Sequence, residues 1–321
     1  MSEAASTVET PVKVPETLFS EENRTSAFKA KDTLLLIMTF LPVLIGWLAK
    51  VLFLKPSEGV EITGAYIFFT IKLPLMDLPI TEAQVNSWLV IIAIAFLCLY
   101  LTHGIKAGVY TKRAVLAEWA VEKVEDLVRS NMGEYFMGMA PFIAAILGLS
   151  AFSSLISLLG LFPPTSDLNI VGGWALLVFI LITYYKMKCG PLHYLKSFCE
   201  PAPFLAPLNV ISEVATPVSM AFRHYANILS GSVISVLLAA ALASLSQLLI
   251  GWLPGFLGKI PIFRIGIPAI LSIYFDLFSG CLQAFVFAML TMLYVGGAFS
   301  LEDYMKKKEK KKAKKVSNTL S

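Results

Sequence analysis

In a chain of 321 residues, 57% are hydrophobic and 15% are charged, a balance that excludes an ordinary water-soluble domain. Several apolar runs approach or exceed the ~20 residues that cross a ~30 Å hydrocarbon layer, and no polar stretch is long enough to bury a separate core. The pattern predicts an all-α membrane protein of about six helices in one membrane domain.

The polar, mixed-charge residues 1–32 lead into "TLLLIMTFLPVLIGWLAKVLFL", Thr33 to Leu54. This run lacks a small-residue cleavage site and reads as an anchor rather than a removed signal. Residues 55–86 form an extracytoplasmic segment, in which "VEITGAYIFFTIK", Val60 to Lys72, is rich in β-branched and aromatic residues and predicts a small hairpin. Next come a span at Ser87–Leu101, with His103 and Gly104 at its exit, and the stretch Ala114–Val128. The latter sets apolar residues opposite Glu118, Glu122 and Glu125 and predicts a helix along the cytoplasmic surface. Further spans are expected at Phe136–Leu161 and Asn169–Tyr185, then two longer tracts, Asn209–Ile250 and Phe263–Phe299, joined by the turn "GWLPGFLGKIP". The membrane domain therefore covers 87–300, and 301–321 is a basic tail.

Lys and Arg set the orientation, because short cytoplasmic loops are rich in them. Residues 1–32 hold four, 106–135 five, 186–207 three and 302–321 eight; the alternate connections 50–86, 162–168 and 251–264 hold three, none and two. Both termini are expected in the cytoplasm, and "KKKEKKKAKK" reads as a solvated anchor near anionic headgroups.

As straight helices the last two tracts would be roughly 60 and 55 Å long, too long to stand upright in the bilayer, so they are expected to form a steeply tilted hairpin with a bend at Pro217. On the first, Glu213, Thr216, Ser219, Arg223, Asn227 and Ser230 recur every three or four residues, and on the second Asp276, Gly280, Gln283 and Phe287 do the same. A charge at the bilayer centre costs at least about 2.5–3.5 kcal/mol, so such a stripe implies water or a partner. An internal Arg223–Asp276 salt bridge is the plainer alternative. Counting from a turn at 255–256, however, sets Asp276 level with 234–236, on the outer side of Arg223, and Glu213 lies ten residues toward the cytoplasm. The carboxylates thus flank a fixed cation.

Three stretches, "LLGLFPPTSDLN", "FRHYANILSG" and "LQAFVFAMLTMLYV", in this order and spacing, resemble subunit a of the F-type ATP synthase, bacterial type. The resemblance implies a stator subunit with two offset half-channels for protons or sodium ions, working against a ring of carboxylate-bearing c subunits. It implies as further partners the b subunits of the peripheral stalk, the remaining synthase subunits and the lipid bilayer, with no nucleic acid and no cofactor or metal, in the bacterial plasma membrane. Arg223 takes the place of the essential gate. Its guanidinium cannot shuttle protons, but it attracts a passing carboxylate and repels hydronium. The ion path implied comprises Asp276, Gln283, Asn227, Ser232, Asp167, Asn169 and Glu213, with Gln283 expected to hold Arg223 by hydrogen bonding. The chain departs from the family pattern at Ser232, where a titratable group is common, and at Ser157, where asparagine is usual; Asp276 stands where a histidine or acid is common, so the acid is kept on the second helix alone. Against the resemblance, Thr33–Leu54 is an extra N-terminal anchor.

The other motifs are weak. "GFLGKI" has a misplaced glycine and no Ser or Thr after the lysine, so no nucleotide chemistry is expected of the chain itself. His224 is expected to be a packing residue, and Cys98, Cys189, Cys199 and Cys281 lack ligand spacing. An ion-coupled secondary transporter with a central membrane site is the alternative; it requires internal repeats and interrupted helices, and no convincing repeat is present. An intramembrane hydrolase requires a nucleophile and base, for which no convincing pair stands out.

Overall fold

The computed structural model describes residues 26–53, 64–72, 77–105, 111–190, 203–250 and 273–300, with isolated positions beside them. Among these, six helical segments are long and apolar enough to cross a membrane. They begin with α1 (Ser26–Phe53) and α2 (Glu82–Thr102), packed against each other. Thr81 starts α2 ahead of the apolar run, its hydroxyl accepting from the Gln84 amide at 3.4 Å. The expected hairpin is present, but its strands are β1 (Ile67–Ile71) and β2 (Leu78–Thr81), so its second strand lies beyond the segment the composition marks.

The surface helix α3 (Lys112–Met132) is capped by Thr111 and ends at Gly133, whose φ of 83° suits a residue without a Cβ. One edge, with Val124, Leu127 and Val128, packs on the core, while Leu116, Trp119 and Val121 stay exposed. The third span is a 3₁₀ turn, Glu134–Met139, then α4 (Ala140–Leu155), then a second 3₁₀ turn, Ile156–Leu159, stopped by Gly160 at φ 75°. α5 (Leu168–Cys189) follows, then α6 (Ala206–Ile250), which continues as helix through Pro217. At 45 residues, α6 is about 68 Å long by helical rise.

The last tract differs from the single long helix expected. Its described part is a π-helical stretch, Ile273–Ser279, running into α7 (Gly280–Gly297). The turn expected at 251–261, residues 1–25 and the basic tail beyond 305 lie outside the described residues.

Core packing joins α3, α4, α5, α6 and α7 through Val128, Ile143, Val171, Val178, Met220 and Phe287. Between lipid tails, helix association rests on close packing and interhelical hydrogen bonds, because hydrocarbon surroundings give no hydrophobic drive. α1 is attached from both ends. Near its start Asp32 accepts from Arg113 at 2.6 Å and meets His103 at 3.2 Å. Near its end Lys50 donates to the Gly160 carbonyl at 2.6 Å and lies 3.7 Å from Glu82.

Candidate functional site

α6 has two unlike faces. Pro217, Met220, Ala221, His224 and Gly231 are buried at helical spacing, turned toward the rest of the bundle. Ser219, Phe222, Arg223, Ser230 and Ile234 are exposed. The expected polar stripe therefore divides. Ser219, Arg223 and Ser230 face outward, whereas Asn227 turns in, donating to Ser279 Oγ at 3.1 Å and Gln283 Oε1 at 3.5 Å. Each such interhelical bond contributes on the order of 0.6 kcal/mol.

Arg223 forms no ion pair or hydrogen bond among the described residues. The alternative salt bridge with Asp276 is not formed. Nor does Gln283 hold the guanidinium as expected. It is 7% exposed and bonded to Asn227, which reaches the α6–α7 seam while Arg223 points away from it. Gly280 and Phe287, which share the spacing of Gln283, are likewise buried in the bundle.

Two small residues set how closely the helices approach. A Cβ on Gly231 would lie 3.3 Å from Phe275, and one on Gly280 would lie 2.5 Å from the Cβ of Ser154. The Gly280 contact allows no substituent, since the atom met is fixed directly to the α4 backbone. Gly280→Ala is therefore expected to destabilise the α4–α7 seam by ~1–3 kcal/mol, measured as a lowered midpoint of thermal unfolding in detergent. An unchanged midpoint would mean that this seam is looser than its geometry.

The seam also fixes depth. With Asn227 against Ser279 and Gly231 against Phe275, Asp276 sits level with about residue 231. That is about one turn nearer Arg223 than counting from a turn at 255–256 gives. Asp276 still lies on the predicted side of Arg223. It opens into a narrow cleft lined by Ser154, Ser157, Pro163, Ile228, Gly231 and Phe275.

Glu213 occupies a different cleft, of about 240 Å³, toward the other end of α6, with Ile182, Lys186, Thr216, Tyr294 and Gly297. Its Oε1 is 3.0 Å from Lys186 Nζ and accepts from the Tyr194 hydroxyl at 3.0 Å. Along α6, Glu213 and Gly231 are ten and eight residues from Arg223, roughly 15 and 12 Å. The exposed cation thus stands between two clefts, each holding one carboxylate.

The remaining expected site residues lie elsewhere. Ser232, which the resemblance placed on the ion path, is exposed and its hydroxyl donates back to Leu229 O at 2.8 Å; Gly231, not Ser232, lines the Asp276 cleft. Asp167 caps α5, accepting from the Asn169 amide at 2.9 Å and from Thr81 Oγ1 at 3.4 Å, and Asn169 is exposed. His224 packs as expected, fully buried with Ser150 Oγ at 3.3 Å from Nε2 and Phe287 against its ring. Sequence reasoning missed Lys186, Tyr194 and Ser154 as site residues. Ser157 stood out only as a departure from a family pattern, and no periodicity links residues so far apart in the chain.

The family model described as ATP synthase A chain matches residues 84–296. Similar proteins include ATP synthase subunit a of Legionella pneumophila strain Philadelphia 1, 24% identical over 228 residues, covering 70% of this chain and 90% of the relative. The subunit a of Geobacter sulfurreducens is 31% identical over 227 residues, covering 69% and 88%, and that of Bacillus pumilus is 33% identical over 204 residues, covering 60% and 81%. The match leaves α1 outside its range.

Proposed function

Because this chain belongs to the ATP synthase A chain family, we propose that it is the stator subunit that carries ions past the carboxylates of a rotating c-subunit ring. Its clefts serve as two half-channels for protons or sodium ions. The observation that carries this reading is Arg223, exposed on α6 between the Asp276 and Glu213 clefts and unpaired among the described residues. A guanidinium in that position needs an anion from outside the chain, since an unpaired charge within the membrane is costly.

The chemistry follows from the arrangement. A ring carboxylate arriving in its charged form is held by Arg223, and the same fixed charge repels cations trying to pass directly between the clefts. The carboxylate is neutralised from the Asp276 side, enters lipid as the ring turns, and gives up its ion on the Glu213 side. Asn227 and Gln283 brace the α6–α7 seam behind the arginine, and Asp167 with Asn169 shapes the outer connection near Pro163. Ser232 borders the outer route from the exposed face of α6. The b subunits and the other synthase subunits complete the assembly, in a bacterial plasma membrane with both termini in the cytoplasm.

Single cysteines test the face assignment. Those replacing Ser219 and Ser230 are expected to crosslink to the ring subunit in native membranes, while one replacing Ala221, which is 5% exposed, is not. Equal crosslinking at all three sites, or none at Ser219 and Ser230, would overturn the assigned face.

A further inference from the structure

The cleft on the Glu213 side is built around an ion pair rather than a lone acid. Lys186 and Tyr194 converge on the same oxygen, Oε1, each at 3.0 Å, and the ammonium also lies 5.6 Å from the centre of the Tyr194 ring. The Glu213 and Lys186 side chains are 10% and 32% exposed, so the pair is sheltered without being sealed. Burial, and after it the Glu213 carboxylate, pushes the Tyr194 phenol up to about 12. Tyr194 therefore stays a hydrogen-bond donor throughout the physiological range. Thr216 and Tyr294 are the other hydroxyl-bearing residues lining the cleft.

Without the lysine, this would be a cation site. A sheltered carboxylate beside hydroxyl groups and water supplies the hard oxygen donors that alkali and alkaline-earth ions prefer. An ammonium is a compact point charge on a flexible stem, and here it sits against the carboxylate, where a sodium ion would bind. Protons need no such coordination shell, because they pass between hydrogen-bonded oxygens.

We propose that Lys186 is a tethered counter-cation that excludes Na⁺ and K⁺ from the Glu213 cleft and leaves it open to protons alone. This rests on the reading of Glu213 as part of the ion route. It makes Lys186 a specificity-determining residue and Tyr194 a positioning residue that fixes Oε1.

The test is proton flux through the complete membrane sector in inverted vesicles stripped of the catalytic head. Na⁺ replaces choline at constant ionic strength, so that screening is unchanged. The unmodified protein is expected to be indifferent to Na⁺, whereas flux through Lys186→Gln falls as Na⁺ rises, by about fivefold or more when an alkali ion settles against the uncompensated charge. The double variant Lys186→Glu with Glu213→Lys restores the balance and is expected to be indifferent again. An assembled Lys186→Gln variant that ignores Na⁺, or an unmodified protein that responds to it, overturns the proposal. If Lys186→Gln does not assemble, the double variant decides, and Na⁺ sensitivity there is the overturning result. Glu213→Gln separates this proposal from the reading beneath it. Unchanged proton flux in that variant removes Glu213 from the route, whatever the sodium response of Lys186→Gln.

Discussion

Arg223→Ala is expected to lower ion-driven ATP synthesis by at least about 100-fold, as loss of a preorganised charge at the reacting position does in other sites, while subunit content in the membrane stays normal. The two halves of this expectation have separate causes. Arg223 is exposed and unpaired among the described residues, so its truncation should change stability by no more than ~0.5 kcal/mol, the usual range for a surface position. The role proposed for it is toward a carboxylate of the ring, and nothing else on the exposed face of α6 carries a positive charge. Arg223→Lys should fail nearly as completely. An ammonium keeps the sign of the charge but loses the planar fork, and it can shed its proton in a poorly solvated place. Synthesis is measured in inverted vesicles beside immunodetection of the assembled subunits. Near-normal rates with normal content in Arg223→Ala would remove the gate.

Asp276→Asn carries the second large effect. It is expected to slow ATP-driven acidification of inverted vesicles, and passive proton flux after removal of the catalytic head, by at least about tenfold, within what loss of a proton-transferring group causes. Asp276→Glu should be tolerated better, since it retains a titratable group. The cleft geometry names the rescuing position. Ser157, rather than Ser232, lines the cleft that holds the carboxylate, so Asp276→Asn with Ser157→Asp should recover part of the flux and Asp276→Asn with Ser232→Glu should not. If Asp276→Asn leaves both rates unchanged across roughly pH 6–9, a range in which desolvated carboxylates titrate, then Asp276 serves only as a structural partner.

The helical spans were legible because an apolar run of membrane-crossing length has few other uses. Their ends were less so. Thr81 caps α2 ahead of the hydrophobic run, and the stretch after Phe136 starts and stops as 3₁₀ turns. The outward face of α6 could be read from three-and-four spacing, which found Ser219, Arg223 and Ser230. The same periodicity failed for Asn227, because a residue at the edge of a stripe can turn either way and only the partner helix decides. Gln283 was misassigned for the related reason that its bond goes to Asn227 across the seam. The depth of Asp276 depended on an assumed turn position, and only the contacts across the α6–α7 seam fix it. Pairings such as Lys186 with Glu213, or Ser157 with Asp276, arise from packing between elements and leave no local signature.

The two attachments of α1 have a mechanical meaning. Asp32 and Lys50 are eighteen residues apart, about 27 Å along the helix, close to the full thickness of the hydrocarbon layer. A helix fastened at one end swings like a door, but one fastened near both membrane surfaces behaves as a strut. One fastening grips the junction of α2 and α3, through His103 and Arg113. The other grips Gly160, three residues before the Pro163 that lines the Asp276 cleft. A sideways thrust on the bundle is thereby shared between two anchorages near opposite ends of the helix. The wall of the Asp276 cleft is stiffened by a segment that lines no part of that cleft.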